Sequence, residues 1–197
     1  MQFLFAHGAG APMDSPFMET ISAGLASHGI DVVRFEFPYM AARRSGERKP
    51  PDRERVLLDS WRNQISQQSG SSPTFIGGKS MGGRIASMIA DDSAVDGLIC
   101  FGYPFHPPGK PAVLRTRHLE TLRTRALIIQ GTRDSLGNRS EVSVLPLSPS
   151  IRLLWIEDGD HSLKPRRSSG RTEAQNLDQA IEAAASFMAG GNSAQTP

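Results

Sequence analysis

The apolar residues of this chain fall into short runs separated by stretches of helical spacing. Runs near residues 2–6, 31–36, 73–77, 97–101, 126–130 and 151–156 are continuous, rich in Phe, Ile, Leu and Val, and too short for buried helices. They predict strands buried on both faces. Between the first two runs Phe17, Ile21 and Leu25 recur at helical spacing, with Ser15 able to cap, Pro16 at the first helical position and Gly29 closing the element. A second helix is predicted from Asp52 to Gln68, with Val56, Leu57, Trp61 and Ile65 facing inward. A third runs from Glu173 to Met188, with Leu177, Ile181, Ala184 and Met188 on one face. Helices between successive strands force crossovers, so the pattern predicts an α/β fold. Its sheet is about six-stranded and mainly parallel, with helices on both faces.

At 197 residues the chain fits one domain, residues 1–189, with 190–197 as a flexible tail. No apolar stretch approaches the length needed to cross a bilayer, and the amino terminus lacks the basic and apolar regions of a signal peptide. Cys100 is the only cysteine, so no internal disulfide can form and a cytoplasmic home is expected. The net charge of +2 is spread along the chain, which speaks against nucleic acid as a partner. Neither membrane binding nor any oligomeric state is indicated. Arg43 to Arg55 reads as a charged, solvated connection. Tyr103 to Leu122, short and proline-rich, is the only candidate lid, so no large cap domain is expected.

The strongest chemical signal is Gly78-Lys79-Ser80-Met81-Gly82, which follows the apolar run Thr74-Phe75-Ile76-Gly77 and opens the helical segment Arg84 to Ala90. Strand, G-x-S-x-G, helix is the setting of a nucleophile elbow. The tight turn lifts Ser80 off the sheet edge and crowds the residues two before and two after it, and both are glycine. The helix that follows points its N-terminus at the serine, so the Met81 N–H can stabilise negative charge there. A hydroxyl is a weak nucleophile without a base and an orienting acid. Of five histidines only His161, in the loop Glu157-Asp158-Gly159-Asp160-His161, follows the aspartate of Gln130-Gly131-Thr132-Arg133-Asp134. Asp134 lies past the end of a late strand, where parallel sheets gather their sites. Asp158 and Asp160 are rival acids, ranked lower because they share the histidine's loop.

Together these segments resemble the α/β-hydrolase superfamily. More narrowly they resemble the KANL3/Tex30 hydrolase-like family, near the dienelactone hydrolases. The segments are Ala6-His7-Gly8-Ala9-Gly10-Ala11, Phe35-Glu36-Phe37-Pro38-Tyr39-Met40, Gly77 to Arg84, Gly102 to Lys110, Gln130 to Asp134 and Gly159-Asp160-His161. The resemblance implies a compact α/β-hydrolase that begins at the strand carrying His7. It implies a catalytic set of Ser80, Asp134 and His161 and an oxyanion hole of the Ala9 and Met81 N–H groups. The substrate would be a small-molecule acyl compound.

The loops that should surround the elbow place Met13, Tyr39, Tyr103, Phe105 and His106 as candidate pocket residues; for His106 a polar lid residue is the first reading and a pocket or leaving-group contact the second. These side chains are mostly apolar or aromatic, which suits a small or medium acyl group. Arg84, one turn past Ser80, reads as a helix-packing residue. The expected activity is that of a carboxylesterase or thioesterase-like serine hydrolase needing neither cofactor nor metal. Two alternatives stay open: a catalytically silent scaffold or binding module on the same fold, and a lactone or carbon–carbon bond hydrolase with the same triad. Two near misses are rejected. A phosphate-binding loop ending at Gly78-Lys79-Ser80 needs glycine where Pro73 stands, and a dinucleotide fingerprint from Gly8 needs glycine where Met13 stands.

Overall fold

The computed structural model describes residues 1–68 and 72–190; of the tail expected at 190–197, residues 191–197 lie outside the described residues. Six strands, β1 (Gln2–Ala6), β2 (Asp31–Phe35), β3 (Thr74–Lys79), β4 (Gly97–Phe101), β5 (Ala126–Gly131) and β6 (Ile151–Ile156), form one parallel sheet in the order β2-β1-β3-β4-β5-β6. The chain starts one strand in from an edge, steps out to β2, then returns past β1 to β3 and proceeds to β6. The order reverses between β1 and β3, and loops leaving the carboxyl ends of two such strands diverge and open a crevice.

Strand alternation divides the core in two. Phe3, Phe5, Phe75, Ile99, Phe101 and Ile129 pack with α1 (Pro16–Ser27) and α6 (Glu173–Met188) on one face. Leu4, Ala6, Ile76, Leu98, Cys100 and Ile128 face the opposite way, toward α2 (Pro38–Arg44), α3 (Glu54–Ser66) and α4 (Met81–Ser87). Cys100 is fully buried under α4, its Sγ 3.5 Å from the Gly83 carbonyl, and burial pushes its thiol pKa up. Among the described residues no helix is long and apolar enough to cross a membrane.

Most helix boundaries follow the hydrophobic pattern, and the departures have local causes. Ser15 occupies the N-cap of α1, but its side chain makes no cap hydrogen bond; Pro16 sets the helical start. In α3 Leu57 and Trp61 are buried, while Val56 faces solvent at 40 % exposure, because one turn of an amphipathic helix cannot turn both neighbours inward. Two short helices were not expected. α2 begins at Pro38, and the free N–H of Tyr39 donates to the Asp52 carboxylate at 2.8 Å, a cap supplied from 13 residues downstream. α5 (Arg139–Val142) is held by a reciprocal capping box between Asn138 and Glu141.

Gly77 tests the closeness of β3 and β4. A Cβ placed there would lie 1.8 Å from the Ile99 carbonyl oxygen, a backbone atom that cannot step aside. Gly77→Ala should therefore lower the unfolding free energy by about 3 kcal/mol or more. Gly10→Ala, where a Cβ meets nothing within 4 Å, should stay within about 0.5 kcal/mol of wild type. Urea midpoints for both variants check the contrast, and equal losses would contradict it.

Candidate active site

Parallel register aligns the carboxyl ends of the strands. Ala6 pairs with Gly78, Lys79 with Phe101 and Gly131 with Ile156, so His7, Ser80, Asp134 and His161 all emerge on one edge of the sheet. Ser80 stands between β3 and α4 with φ 51 and ψ −115, a left-handed conformation that L-residues avoid and that is found where function demands it. The turn is possible because its flanks have no side chains. A Cβ at Gly78 would fall 2.5 Å from the Ala6 carbonyl oxygen, and one at Gly82 would fall 2.6 Å from the same atom.

Ser80, His161 and Asp134, expected together from chain order, lie in one hydrogen-bonded line. His161 Nε2 lies 2.8 Å from Ser80 Oγ and its Nδ1 lies 2.8 Å from Asp134 Oδ2. An ionised carboxylate only accepts, so Nδ1 carries the proton and Nε2 is left to accept from the serine hydroxyl. The Asp134 side chain is fully buried and its lone pairs are engaged. Oδ1 accepts from the Leu136 N–H at 2.8 Å, and Oδ2 also accepts from Gln130 Nε2 at 2.8 Å. Gln130, itself fully buried, further ties Tyr103 N–H to its own carbonyl at 2.7 Å. Sequence reasoning passed over this glutamine; a polar residue inside a buried strand was the signal.

The rival acids do other work. Asp158 binds Arg133 and Arg166, and the Arg166 guanidinium holds its carboxyl down to about 2. Asp160 accepts from the Ser162 and Lys164 N–H groups at 2.8 and 3.0 Å, shaping the turn that presents His161.

The loop after β1 is pinned by His7. Its Nδ1 donates to the Gly8 carbonyl at 2.7 Å, so Nε2 is unprotonated and accepts from Phe37 N–H at 3.1 Å. Burial lowers the His7 pKa and favours that neutral form. The Tyr39 hydroxyl donates to the Ala9 carbonyl at 3.0 Å and approaches the Gly8 carbonyl at 3.4 Å. In a trans peptide N–H and C=O point opposite ways. With the Gly8 carbonyl turned toward His7 and Tyr39, the Ala9 N–H faces away from them. Ala9, Ser80 and Met81 border one cleft, and the Met81 N–H opens α4, where it has no intrahelical acceptor.

That cleft, of about 350 Å³, differs from the pocket expected from sequence. Its apolar walls include Leu57, Pro104, Pro108 and Leu136, and it carries four charged side chains, Asp52, Glu54, Arg84 and Arg115. Met13, Tyr39, Tyr103, Phe105 and His106 do not line it. Met13 is tied by its backbone to Glu36 and Arg34. The rings of Tyr39, Tyr103 and Phe105 are buried, and the Tyr103 hydroxyl donates to the Arg115 carbonyl at 3.0 Å. His106 is turned inward too, with Nδ1 on the Pro107 carbonyl. Large aromatic side chains gain more by packing under the loops than by facing water. Arg84 likewise is more than a packing residue, since it meets Glu54 at 3.2 Å on the cleft wall.

Lys79 lies behind His161. Its ammonium donates to the His161 carbonyl and sits 5.4 Å from the centre of the Phe17 ring. Burial pushes its pKa down to about 8. A lysine whose folded pKa falls below its unfolded one near 10.5 penalises folding while both states are charged. The penalty fades as pH rises from about 8 to about 10.5. Wild type should gain stability over that range relative to Lys79→Met, by up to about 3 kcal/mol at the upper end. Urea titrations of both proteins at pH 7.5 and 10 measure it, and parallel pH dependence would refute the assignment.

Residues 1–189 match the sequence profile of the family described as Alpha/beta hydrolase domain. The fold superposes on the esterase domain of a Rhodothermus marinus protein at 16 % identity and TM-score 0.67, covering 94 % of this chain and 85 % of that one. It also superposes on an alpha-beta serine hydrolase homologue from Coxiella burnetii, at 18 % identity and TM-score 0.70 over 94 % and 84 % of the two chains. Dienelactone hydrolase from Anabaena variabilis aligns at 18 % identity and TM-score 0.69 over 96 % and 86 %. At such identities the three structures share a fold with this chain. The profile match, which spans almost all of the described residues, goes further: the chain belongs to the alpha/beta hydrolase domain family.

Proposed function

We propose that this chain is a cytoplasmic serine hydrolase, carboxylesterase or thioesterase-like, that cleaves small or medium acyl esters. The observation that carries the reading is the His161 ring, 2.8 Å from Ser80 Oγ on one side and 2.8 Å from Asp134 Oδ2 on the other. His161 takes the proton as Ser80 Oγ attacks the ester carbonyl, and Asp134 stabilises the resulting imidazolium. The tetrahedral oxyanion is received by the Ala9 and Met81 N–H groups. His161 then protonates the leaving alcohol or thiol, and water releases the acyl group by the reverse sequence. Within its family we read the chain as a member of the KANL3/Tex30 hydrolase-like branch. The support is the segment Phe35 to Met40, which here anchors the oxyanion loop through the Phe37 N–H and the Tyr39 hydroxyl.

A fluorophosphonate probe and a panel of p-nitrophenyl esters of rising chain length test this reading. Wild type should be labelled and should prefer the shorter acyl chains. Ser80→Ala should keep the fold and lose both labelling and turnover, the latter by a factor on the order of 10⁶. A variant that keeps more than about a tenth of wild-type turnover would show that Ser80 is not the nucleophile. A wild-type chain that the probe never labels would instead be a scaffold on a hydrolase fold.

Asp134→Asn should cut kcat by up to about 10⁴, because the imidazole loses the acceptor that fixes its tautomer. Asp158→Asn and Asp160→Asn should act mildly, through the loop alone. If Asp160→Asn proved the most damaging of the three in steady-state assays, the acid would have to be reassigned.

A further inference from the structure

The cleft beside Ser80 holds a guanidinium that the protein itself does not neutralise. Of the four charged side chains on its walls, Glu54 is taken by Arg84 at 3.2 Å. Asp52 is used by the Tyr39 N–H that opens α2, at 2.8 Å. Among the described residues no carboxylate comes within ion-pair distance of the Arg115 guanidinium. Burial and the neighbouring charge of Arg84 act against its charged form and outweigh the opposing pull of Tyr103 and of the more distant Glu54.

Arg115 is nevertheless fixed in place. Its backbone N–H donates to the Phe105 carbonyl at 2.8 Å and its carbonyl accepts from the Tyr103 hydroxyl at 3.0 Å. Phe105 and Tyr103 are both buried, and so is the next residue, Thr116, whereas residues 109–114 before it are exposed. The guanidinium thus starts from a clamped point at the end of an exposed loop, and its side chain borders the same cleft as the serine hydroxyl. A half-buried cation held without a partner is costly unless an anion arrives to complete it.

We infer that the cleft takes acyl substrates that end in a carboxylate, such as half-esters or half-thioesters of short dicarboxylic acids, with Arg115 receiving the distal carboxylate. This rests on the serine hydrolase reading for the cleavage step, though not for the binding step. A guanidinium fork matches a carboxylate in two parallel hydrogen bonds. A monoanion suits this cleft better than a phosphate, because a second negative charge would meet Asp52 and Glu54 on the same walls. Leu136, Pro104 and Pro108 supply the apolar sides that a short methylene chain needs, and a volume of about 350 Å³ leaves little room for a long one. Cleavage follows the balance given above: the acyl–oxygen or acyl–sulfur bond breaks, the alcohol or thiol leaves with the proton from His161, and water restores Ser80 while releasing the dicarboxylic acid.

Two measurements test the site. The first compares kcat/KM for monomethyl glutarate and methyl valerate, which share a five-carbon acyl chain and differ in the terminal carboxylate. Wild type should favour the charged ester by at least about tenfold, as for one charge-assisted hydrogen bond. Arg115→Met should erase that ratio, and Arg115→Lys should keep part of it; Arg115→Gln serves if Arg115→Met does not fold. The second measures calorimetric binding of monomethyl glutarate to Ser80→Ala, which should exceed binding to Ser80→Ala/Arg115→Met by a similar factor. Equal hydrolysis of both esters, cut alike by the Arg115 variants, overturns the anion site and leaves the hydrolase reading standing. Arg115-dependent binding without hydrolysis of any ester keeps the anion site and removes the hydrolase reading. Absence of Arg115-dependent binding overturns the inference whatever the esterase assays give.

Discussion

Ser80 keeps its left-handed backbone because three elements meet around it with no side chain between them. The conformation costs roughly 1–3 kcal/mol for a non-glycine residue. It is held by the Ser80 N–H on the Phe101 carbonyl at 2.9 Å, by the Arg84 N–H on the Ser80 carbonyl at 3.0 Å, and by the indole of Trp61 on the Gly82 carbonyl at 3.2 Å. The spacing of β1, β3 and α4 depends on that meeting. So does the direction of the α4 N-terminus, and with it the position of the Met81 N–H beside the serine hydroxyl.

A second layer of order comes from buried polar groups that satisfy one another. Asp134 could not be fully buried and charged without the three donors around it, from Gln130, Leu136 and His161. Gln130 in turn fixes the backbone of Tyr103 and accounts for the tight packing of the loops after β4 and β5. On the outer side Asp158, with φ 53, is clasped by Arg133 and Arg166. The Asp134 loop is therefore held by a neutral amide, and the loop that carries His161 by two cations on Asp158.

The strands were legible because a parallel sheet buries both faces, so each strand is a continuous apolar run that no alternation obscures. Ser80 was legible because the elbow's demand for glycines is local. His161 was legible because chain order left a single candidate. The cleft lining was not. Whether Tyr39 or Tyr103 faces solvent or turns inward is decided by carbonyls at Ala9 and Arg115, 30 and 12 residues away, and no local pattern encodes that choice. The same holds for α2, whose cap is the remote Asp52, and for Arg84, whose partner Glu54 lies 30 residues upstream on α3. Local periodicity reports which residues prefer burial, whereas the charged walls of the site arise from side chains that α3, α4 and two separate loops bring together.

The single thiol of Cys100 lies against the Gly83 carbonyl on the inner side of α4. It is closed to solvent, and burial keeps it protonated, so a thiol reagent can reach it only when α4 lifts away from the sheet. The protein thus carries a native reporter of elbow opening. The rate at which an aromatic disulfide modifies Cys100 under native conditions reads the free energy of separating α4 from β4. Comparing that rate with and without a covalent adduct on Ser80 would show whether occupying the serine tightens the turn that presents it.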